Sequence, residues 1–257
     1  NLLAGAGASD GAIAMIFRGE AADTRPGIST RDITWGELRG TVTRLQAAML
    51  RAGVGRGDRV AAWLPNVPET YMVMLAAASI GAVFSSTSPD FGADGVVDRF
   101  GQISPKILFG CDGYTYGGRT HDRLGPLAEV AARLPSLEQV VVVPFMGDGS
   151  AGDVDGAVTI DDFTAGADDR HPDFTKLPFD HPWYILYSSG TTGKPKCIVH
   201  RAGGVLLKHL TEHQLHCDVR PGDHVFYFTT AGWMMWNWLA SGLASGATLV
   251  LYDGSPF

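Results

Sequence analysis

The sequence predicts an α/β fold in which mostly parallel sheets are flanked by helices in a layered arrangement. Three observations support this class: short apolar runs alternate with segments of helical periodicity, a capping box opens the first such segment, and glycines end two of them. Strands that alternate with helices are typical of βαβ units, whose strands run parallel. With 257 residues, the chain is long enough for one large domain or two modest ones.

The first half of the chain shows this alternation in order. The first predicted strand covers residues 13–18, after a loose end at residues 1–12, and a polar turn region follows at residues 19–31. Thr34 and Glu37 then form a Ser/Thr-x-x-Glu capping box, which opens a helix of clear apolar periodicity. Further predicted strands are residues 58–64, 83–87, 106–109 and 139–143, and further predicted helices are residues 69–80, 95–103 and 121–134.

A change in composition separates the second half from the first. Residues 146–180 contain many Gly and Asp residues and several Pro residues, which predict an exposed connecting segment. We therefore divide the chain into a first α/β sheet region at residues 1–145, this segment, and a second α/β sheet region at residues 181–257. The predicted elements of the second region are two strands within residues 184–200, a helix at 201–217, strands at 224–228 and 248–252, and an aromatic-rich segment at 233–243. We expect the sheet to continue beyond Phe257, because the chain stops directly after a strand.

Composition and charge narrow the possible functions. The formal net charge is −7 and there is no run of Lys or Arg, so a nucleic-acid-coating surface is not expected. No apolar run is long enough to span a bilayer. The three cysteines, Cys111, Cys197 and Cys217, are odd in number and far apart, which favours a reduced, cytoplasmic setting.

The most informative stretch is a glycine loop between two apolar strands. Its residues share small size, a hydroxyl group or a positive charge, and they are Ser188, Ser189, Gly190, Thr191, Thr192, Gly193, Lys194 and Lys196. The glycines leave backbone N–H groups accessible, while the hydroxyls and lysines add donors and charge, so the loop suits a polyphosphate. An ordinary hairpin turn is the alternative interpretation, but such turns rarely combine two Ser, two Thr, two Gly and two Lys.

The glycine loop differs from a Walker motif. That motif requires Gly-x-x-x-x-Gly-Lys-Ser/Thr at the start of a helix, whereas the glycines here are three apart. Pro195 stands where the Mg²⁺-binding hydroxyl would be, and it disfavours helical geometry at Lys194. We therefore predict a flexible loop that joins two strands and folds over phosphates.

A second motif, in the helix predicted at residues 201–217, suggests a different chemistry. His209, Glu212 and His213 fit the His-x-x-Glu-His pattern of inverted zinc proteases, in which both imidazoles bind Zn²⁺ from one helix face. The pattern is short, and no acidic third ligand is evident in a fitting context. We therefore predict no metal site there and keep a metalloprotease only as an alternative.

Several stretches resemble a known family. Residues 187–196 resemble the phosphate-binding signature of the adenylate-forming enzymes, which include acyl-CoA synthetases, luciferases and the adenylation domains of peptide synthetases. Residues 81–92, 232–238 and 252–257 resemble, within that family, the acyl-CoA synthetases that act on acetoacetate. The resemblance runs from about residue 10 to the end of the chain. It implies that the chain is part of the large N-terminal domain of such an enzyme.

The resemblance implies a two-step ligase reaction that uses ATP, Mg²⁺ and coenzyme A. The acid, acetoacetate, first forms an acyl-adenylate with release of pyrophosphate, and the coenzyme A thiolate then displaces AMP. The glycine-loop residues would bind the ATP phosphates. The family's catalytic lysine lies on a C-terminal domain outside this chain, so no catalytic residue is expected within it and the chain alone is predicted to be inactive. Alternatives are an acetyl- or propionyl-CoA synthetase, or a truncated ATP-binding module without turnover.

The resemblance also implies an acyl-substrate pocket formed by Trp233, Met234, Met235, Trp236 and Asn237. In this interpretation, Trp rings and adaptable Met side chains form the apolar wall. Asn237 would supply a hydrogen-bond donor to the keto oxygen of the substrate. A buried, Trp-rich helix that belongs to the hydrophobic core is the alternative.

A weaker implied site concerns coenzyme A. Arg119 aligns with the second arginine of an Arg-x-x-Arg segment that contacts coenzyme A phosphates in related synthetases, and Tyr116 replaces the first. A guanidinium can pair with a phosphate, but a solvated surface arginine is an equally good interpretation. His200, at the end of the strand after the loop, is interpreted as a packing residue.

Overall fold

The computed structural model describes residues 2–20, 30–146, 149–167, 174–188 and 193–256. The strands in these ranges are β1 (Ile13–Gly19), β2 (Thr30–Thr34), β3 (Arg59–Trp63), β4 (Val83–Thr87), β5 (Ile107–Cys111), β6 (Gly113–Tyr116), β7 (Arg119–Asp122), β8 (Gln139–Val143), β9 (Val158–Thr159), β10 (Pro182–Ser188), β11 (Lys196–Arg201), β12 (His224–Phe226) and β13 (Thr248–Asp253). The α-helices are α1 (Trp35–Arg51), α2 (Pro68–Ser79), α3 (Ala93–Phe100), α4 (Leu124–Ala132), α5 (Ile160–Thr164), α6 (Ala202–Leu210) and α7 (Met234–Ser241). Short 3₁₀ helices cover Leu2–Gly7 and Gly242–Ser245, and a π-helical segment, Thr211–His216, follows α6.

The larger sheet has seven strands in the order β11-β10-β4-β3-β5-β8-β9. All neighbouring pairs run parallel except β10 and β11, which are antiparallel. The central strands are buried on both faces, as their unbroken apolar runs predict for a parallel sheet. The predicted α/β class with mostly parallel strands is confirmed, and the carboxyl ends of β3, β4, β5, β8 and β10 lie at one edge.

The smaller sheet has four strands in the order β12-β13-β1-β2, where β1 is parallel to β13 and antiparallel to β2. Both sheets combine strands from the two predicted regions, because β10 pairs with β4 and β13 pairs with β1. The division at residues 1–145, 146–180 and 181–257 therefore describes only the order of elements along the chain. Each of the two sheets contains strands from both the first and the third of these ranges.

Two clusters of buried apolar residues cover the two faces of the larger sheet. Alternate residues of β3 enter different clusters: Val60 and Ala62 face one, and Ala61 and Trp63 face the other. Helices α1, α2 and α7 pack in the first cluster, which also contains residues of β1 and β13, while α3 and α4 pack in the second. This is the layered arrangement of helices around sheets that the sequence predicts.

Helices α1 and α2 each begin with residues that favour a helix start. At α1 the Thr34 hydroxyl accepts the Glu37 N–H at 3.1 Å, and the Glu37 carboxylate accepts the Thr34 N–H at 2.7 Å, so the capping box is formed. Helix α2 begins with Pro68, and its largely apolar sequence is buried on nearly all sides. In the described part of the chain, no helix combines the length and the apolar character that a membrane span requires.

Three predictions about the N-terminal half need correction. The predicted loose end at residues 1–12 contains the 3₁₀ helix Leu2–Gly7, whose leucines are buried. The predicted polar turn region overlaps β2, an edge strand with little apolar character. The helix predicted at residues 121–134 begins only at Leu124, because His121 belongs to the β6–β7 hairpin. Each element is too short to show a hydrophobic period.

The predicted exposed segment at residues 146–180 is partly built into the fold. Strand β9 extends the larger sheet beside β8, and α5 follows it directly. Phe163 of α5 is only 8% exposed, and its ring lies 5.9 Å from the ring of Phe109 in an edge-to-face contact. A two-residue strand and a five-residue helix give no periodic signal, so composition alone misjudged this part of the chain.

Candidate functional site

The candidate site is built on the carboxyl end of β4. Trp63 Nε1 donates a hydrogen bond to the Ser88 carbonyl at 3.0 Å, and the Ser86 hydroxyl donates to the Ala231 carbonyl at 2.5 Å. A Cβ atom on Gly232 would lie 3.5 Å from the Ser88 nitrogen, so the turn before α7 packs directly on this strand end. Ligands of open α/β sheets bind outside the carboxyl ends of parallel strands, which makes this edge the expected location.

The glycine loop leaves the same edge beside β4. Ser188 ends β10 and pairs with Lys196, which begins β11, so the loop joins two antiparallel strands as predicted. Ser189, Gly190, Thr191 and Thr192 lie outside the described residues. Gly193 has a φ of 111°, a backbone region that favours glycine, and both Gly193 and Lys196 are exposed.

Helix α3 and the turn directly after it contact the second half of the loop. Gln102 Nε2 donates to the Pro195 carbonyl at 2.8 Å, and Lys194 Nζ lies 3.3 Å from Asp98 Oδ1. Lys194 is 75% exposed, so this ion pair is a weak surface contact. Within the described ranges, the Lys196 ammonium has no carboxylate partner, which leaves its charge available to a ligand.

Arg99 places a further cation beside the loop, and sequence reasoning did not single it out. Its guanidinium lies 4.2 Å from the centroid of the Phe91 ring and 5.9 Å from that of Tyr187. Burial lowers the pKa of Arg99 and raises that of Tyr187, whose hydroxyl lies 3.1 Å from Ser85 Oγ. Asp98 and Arg99 lie on α3 and Gln102 lies in the turn directly after it, and this grouping becomes informative only once this part of the chain is known to contact the loop.

The five predicted pocket residues are placed in two environments. Trp233 is 66% and Met234 47% exposed, and Met235 is half-buried. Trp236 is completely buried, with its ring centroid 4.3 Å from that of Tyr71. Asn237 is 1% exposed; its amide nitrogen lies 4.0 Å from Met74 Sδ, and its amide oxygen has no hydrogen-bond partner in the described part of the chain. The start of α7, from Trp233 to Met235, is therefore accessible, while Trp236 and Asn237 belong to the core.

The His-x-x-Glu-His residues join α6 and the following π-helical segment to α7. His209 Nδ1 lies 2.8 Å from Ser241 Oγ, and His213 Nε2 donates to the Trp238 carbonyl at 2.9 Å. Glu212 accepts a hydrogen bond from Trp238 Nε1 at 3.0 Å, which completes the connection.

Burial disfavours the charged form of both histidines. Burial lowers the pKa of His209 to about 4 and also lowers that of His213. Over residues 2–20, 30–146, 149–167, 174–188 and 193–256, no three His, Cys, Asp or Glu side chains are grouped as metal ligands. The ring of His200 stacks on Tyr184 at 4.9 Å, which is a packing contact.

The β6–β7 hairpin carries Arg119 at the same edge of the molecule. Arg119 and Tyr116 face each other across a turn whose residues, Gly117 and Gly118, both have positive φ. Arg119 is exposed and has no ion pair within the described ranges. The structure thus leaves its guanidinium accessible to an anion.

Glu20 fixes this hairpin to the smaller sheet, and sequence reasoning missed it. Its carboxylate accepts hydrogen bonds from the backbone N–H groups of Gly117 at 3.0 Å, of Gly118, and of Ser255 at 2.7 Å. Burial alone would raise the pKa of the Glu20 carboxyl, but the three backbone donors lower it overall. Nearby, burial raises the pKa of Asp253 to about 6, so two carboxyl groups at this edge have pKa values shifted in opposite directions.

Comparison with known proteins agrees with this architecture. Residues 6–257 match the family described as AMP-binding enzyme. The chain is 57% identical over its whole length to acetoacetyl-coenzyme A synthetase of Rhizobium meliloti strain 1021, of which it covers 38%. It is 51% identical over 87% of its length to acetoacetyl-CoA synthetase of Xenopus tropicalis, of which it covers 34%.

A solved structure of a protein with the same description is also similar to this chain. Acetoacetyl-CoA synthetase from Streptomyces lividans superposes with a TM-score of 0.91 at 45% identity, over 99% of this chain and 38% of that protein. The chain thus spans little more than a third of the length of the relatives that it matches. Because the family match covers nearly every residue, the chain belongs to the family of AMP-binding enzymes.

Proposed function

We propose that the full-length protein containing this chain is an acid–thiol ligase that converts acetoacetate, ATP and coenzyme A into acetoacetyl-CoA, AMP and pyrophosphate. The observation that carries the proposal is the 57% identity to an acetoacetyl-coenzyme A synthetase across the whole chain. The accessible cations at the carboxyl edge of the larger sheet fit this function, because the reaction brings an anionic acid to an anionic nucleotide. A reduced, cytoplasmic setting is part of the proposal, since Cys111, Cys197 and Cys217 are free thiols.

In the first step, a carboxylate oxygen of acetoacetate attacks the α-phosphorus of ATP. The bond from that phosphorus to the bridging oxygen breaks, and pyrophosphate leaves with the electron pair. We assign the stabilisation of this leaving group to the glycine-loop residues, which are Ser188, Ser189, Gly190, Thr191, Thr192, Gly193, Lys194 and Lys196. Donors already directed at developing charge lower such a barrier more effectively than water does. Lys196 is the strongest candidate because its ammonium is exposed and has no carboxylate partner in the described ranges.

In the second step, the coenzyme A thiolate attacks the acyl carbon and AMP leaves. Arg119 is proposed to pair with a phosphate of coenzyme A, since its guanidinium is exposed at the edge to which the strands lead.

For the acyl pocket, we propose direct substrate contact by Trp233, Met234 and Met235, which line the accessible first turn of α7. Trp236 and Asn237 have almost no exposed surface, so their proposed role is to hold this turn from the core side. Met side chains adapt to irregular ligands, and Trp rings provide a broad apolar wall.

Mg²⁺ belongs to the proposal as the ion that accompanies ATP. The described part of the chain contains no group of carboxylates or histidines with metal-ligand geometry. We therefore assign no protein ligand to Mg²⁺ and derive no step through it; its chemistry would be to neutralise phosphate charge.

The test is pyrophosphate release by the full-length protein with ATP, Mg²⁺ and a series of acids. We expect acetoacetate to be preferred to acetate and propionate. A preference for acetate would contradict the proposed pocket, and ATP binding without pyrophosphate release would favour the alternative of a binding module. The 257-residue chain assayed alone is the control, and the family resemblance predicts little or no turnover there, so robust turnover would contradict that assignment.

A further inference from the structure

Asn66 connects three elements beneath the candidate site. It lies in the turn between β3 and α2 and is only 2% exposed. Its amide oxygen accepts hydrogen bonds from the Tyr71 hydroxyl and from Trp236 Nε1, each at 3.0 Å. Its amide nitrogen donates to the Tyr252 carbonyl at 3.1 Å, and its backbone N–H donates to Asp253 Oδ1 at 3.0 Å. The three residues that bond to the Asn66 side chain, Tyr71, Trp236 and Tyr252, belong to α2, α7 and β13 respectively.

The chemistry of this position requires an amide. Both lone pairs of the Asn66 oxygen are used, and the adjacent nitrogen supplies a donor in the same plane. An aspartate would keep two acceptors but lose the donor and place a second carboxylate next to Asp253. A leucine of similar volume would leave the Trp236 and Tyr71 donors without a partner inside the core, which is unfavourable.

The hydrogen bonds of Asn66 help to determine where the accessible start of α7 lies. Trp236 directly follows Met235, and its ring also contacts Tyr71 and, at 6.1 Å, Phe84. A hydrogen bond from Nε1 selects one orientation of an otherwise apolar ring, because ring contacts alone permit several. The same amide fixes the backbone at Tyr252, so α7 and the carboxyl end of β13 are positioned by one side chain.

We infer that Asn66 is a positioning residue for the acyl substrate: it holds α7 and the end of β13 in the relative placement that acid binding requires. The inference rests on the proposed function, because it assigns the role to the same site. Asn66 itself touches no substrate in this account. It therefore affects the acid through Trp236 and leaves the phosphate loop, which is contacted by Gln102 in the turn after α3, unaffected.

The test compares Asn66→Leu with Gln46→Leu in the full-length enzyme. Gln46 is a matched control: it is 5% exposed, and its amide nitrogen donates to Ser79 Oγ at 2.8 Å between α1 and α2. Both variants lose a buried amide and are expected to lower the melting temperature. Only Asn66→Leu should raise the KM for acetoacetate, by about tenfold or more, because small misplacements of binding groups have large kinetic effects. The KM for ATP should stay within about twofold of the wild-type value, since the loop contacts are retained.

A second measurement separates this inference from the proposed function. With 5-fluorotryptophan incorporated, Trp236→Phe identifies the Trp236 resonance, and Asn66→Asp and Asn66→Leu should both shift it while Gln46→Leu leaves it in place. If wild-type enzyme releases no pyrophosphate with acetoacetate, the proposed function fails, while the resonance still reports whether Asn66 positions Trp236. Equal acetoacetate KM values in wild type and Asn66→Leu, an equal rise in Gln46→Leu, or an unchanged Trp236 resonance would each overturn the inference. Should Asn66→Leu fail to fold, Trp236→Phe removes the same hydrogen bond and is expected to raise the acetoacetate KM in the same direction.

Discussion

The glycine loop and α7 leave the same sheet edge, but they are held in different ways. The described end of the loop is exposed, and its contacts are one surface ion pair from Lys194 and one hydrogen bond from Gln102. Helix α7 is fixed by the completely buried Trp236 and by hydrogen bonds that reach Asn66 and His213. Exposed cations on long side chains can reach a phosphate, whereas the short acyl chain of the proposed acid needs an apolar surface whose position is already fixed. Four predictions test this contrast.

The largest effect is expected for Trp236→Ala. Removing a fully buried Trp should lower the free energy of unfolding by about 3 to 5 kcal/mol. Trp233→Ala is the matched control in the same segment: because Trp233 is 66% exposed, its loss should change stability by no more than about 0.5 kcal/mol. Urea unfolding of both variants measures the difference, and equal values would remove the distinction between the accessible start of α7 and its buried residues.

The next effect concerns acid stability. Burial lowers the pKa of His209 to about 4 in the folded state, while an unfolded histidine titrates near 6.5. Between these values the unfolded chain binds a proton that the folded chain does not. Stability is therefore fully present above pH 6.5 and is lost as pH falls towards 4, by up to about 3 kcal/mol. His209→Gln should reduce this loss, measured as the difference between urea unfolding at pH 7 and at pH 4.5; an unchanged pH dependence would contradict the role of His209.

A substitution in the glycine loop should change activity strongly and stability little, the opposite of a substitution at Trp236. Lys196→Ala in the full-length enzyme is expected to raise the KM for ATP about tenfold, equivalent to about 1.4 kcal/mol, with little change in melting temperature. Lys176→Ala is the control, since Lys176 is also exposed but lies outside the loop. Pyrophosphate release at varied ATP concentration provides the measurement, and unchanged ATP use in Lys196→Ala would refute the phosphate role of the loop.

The smallest effect is expected for Asp98→Asn. This change removes the ion pair with Lys194, which is worth about 0 to 1 kcal/mol because both side chains are well exposed. Melting temperature and the KM for ATP should both stay close to the wild-type values. A large change in either would show that α3 holds the loop rigidly, and the contrast with α7 would then fail.

The sequence allowed most of the fold to be predicted, because its long elements carry strong local signals. The capping box at Thr34 and the apolar run of α2 are examples of such signals. Pairing was not predictable in the same way, since the register between β1 and β13 depends on residues far apart in the chain. The short hairpin around Gly117 and the helix containing Phe163 were missed because neither is long enough to show a period.

The candidate site also contains residues that the sequence could indicate and residues that only the structure reveals. The glycine loop and the α7 segment could be predicted as candidates because their residue types carry chemistry by themselves. Asn66, Glu20 and Arg99 were not found, since an isolated Asn, Glu or Arg becomes informative only when its partners are known in space. The burial of Trp236 was equally hidden, because a Trp-rich segment is compatible with both a pocket and a core.

The pairing of β1 with β13 also has a consequence for the order of events during synthesis. Met15 is paired with Leu249, a separation of about 230 residues. At typical translation rates of about 5 to 20 residues per second, β1 waits on the order of ten to fifty seconds for its parallel neighbour to be made. Until then its only strand neighbour in the described sheet is β2, in an isolated two-stranded unit of marginal stability. Strand β1 is thus made early in synthesis but is among the last parts of the described chain to acquire its final neighbours.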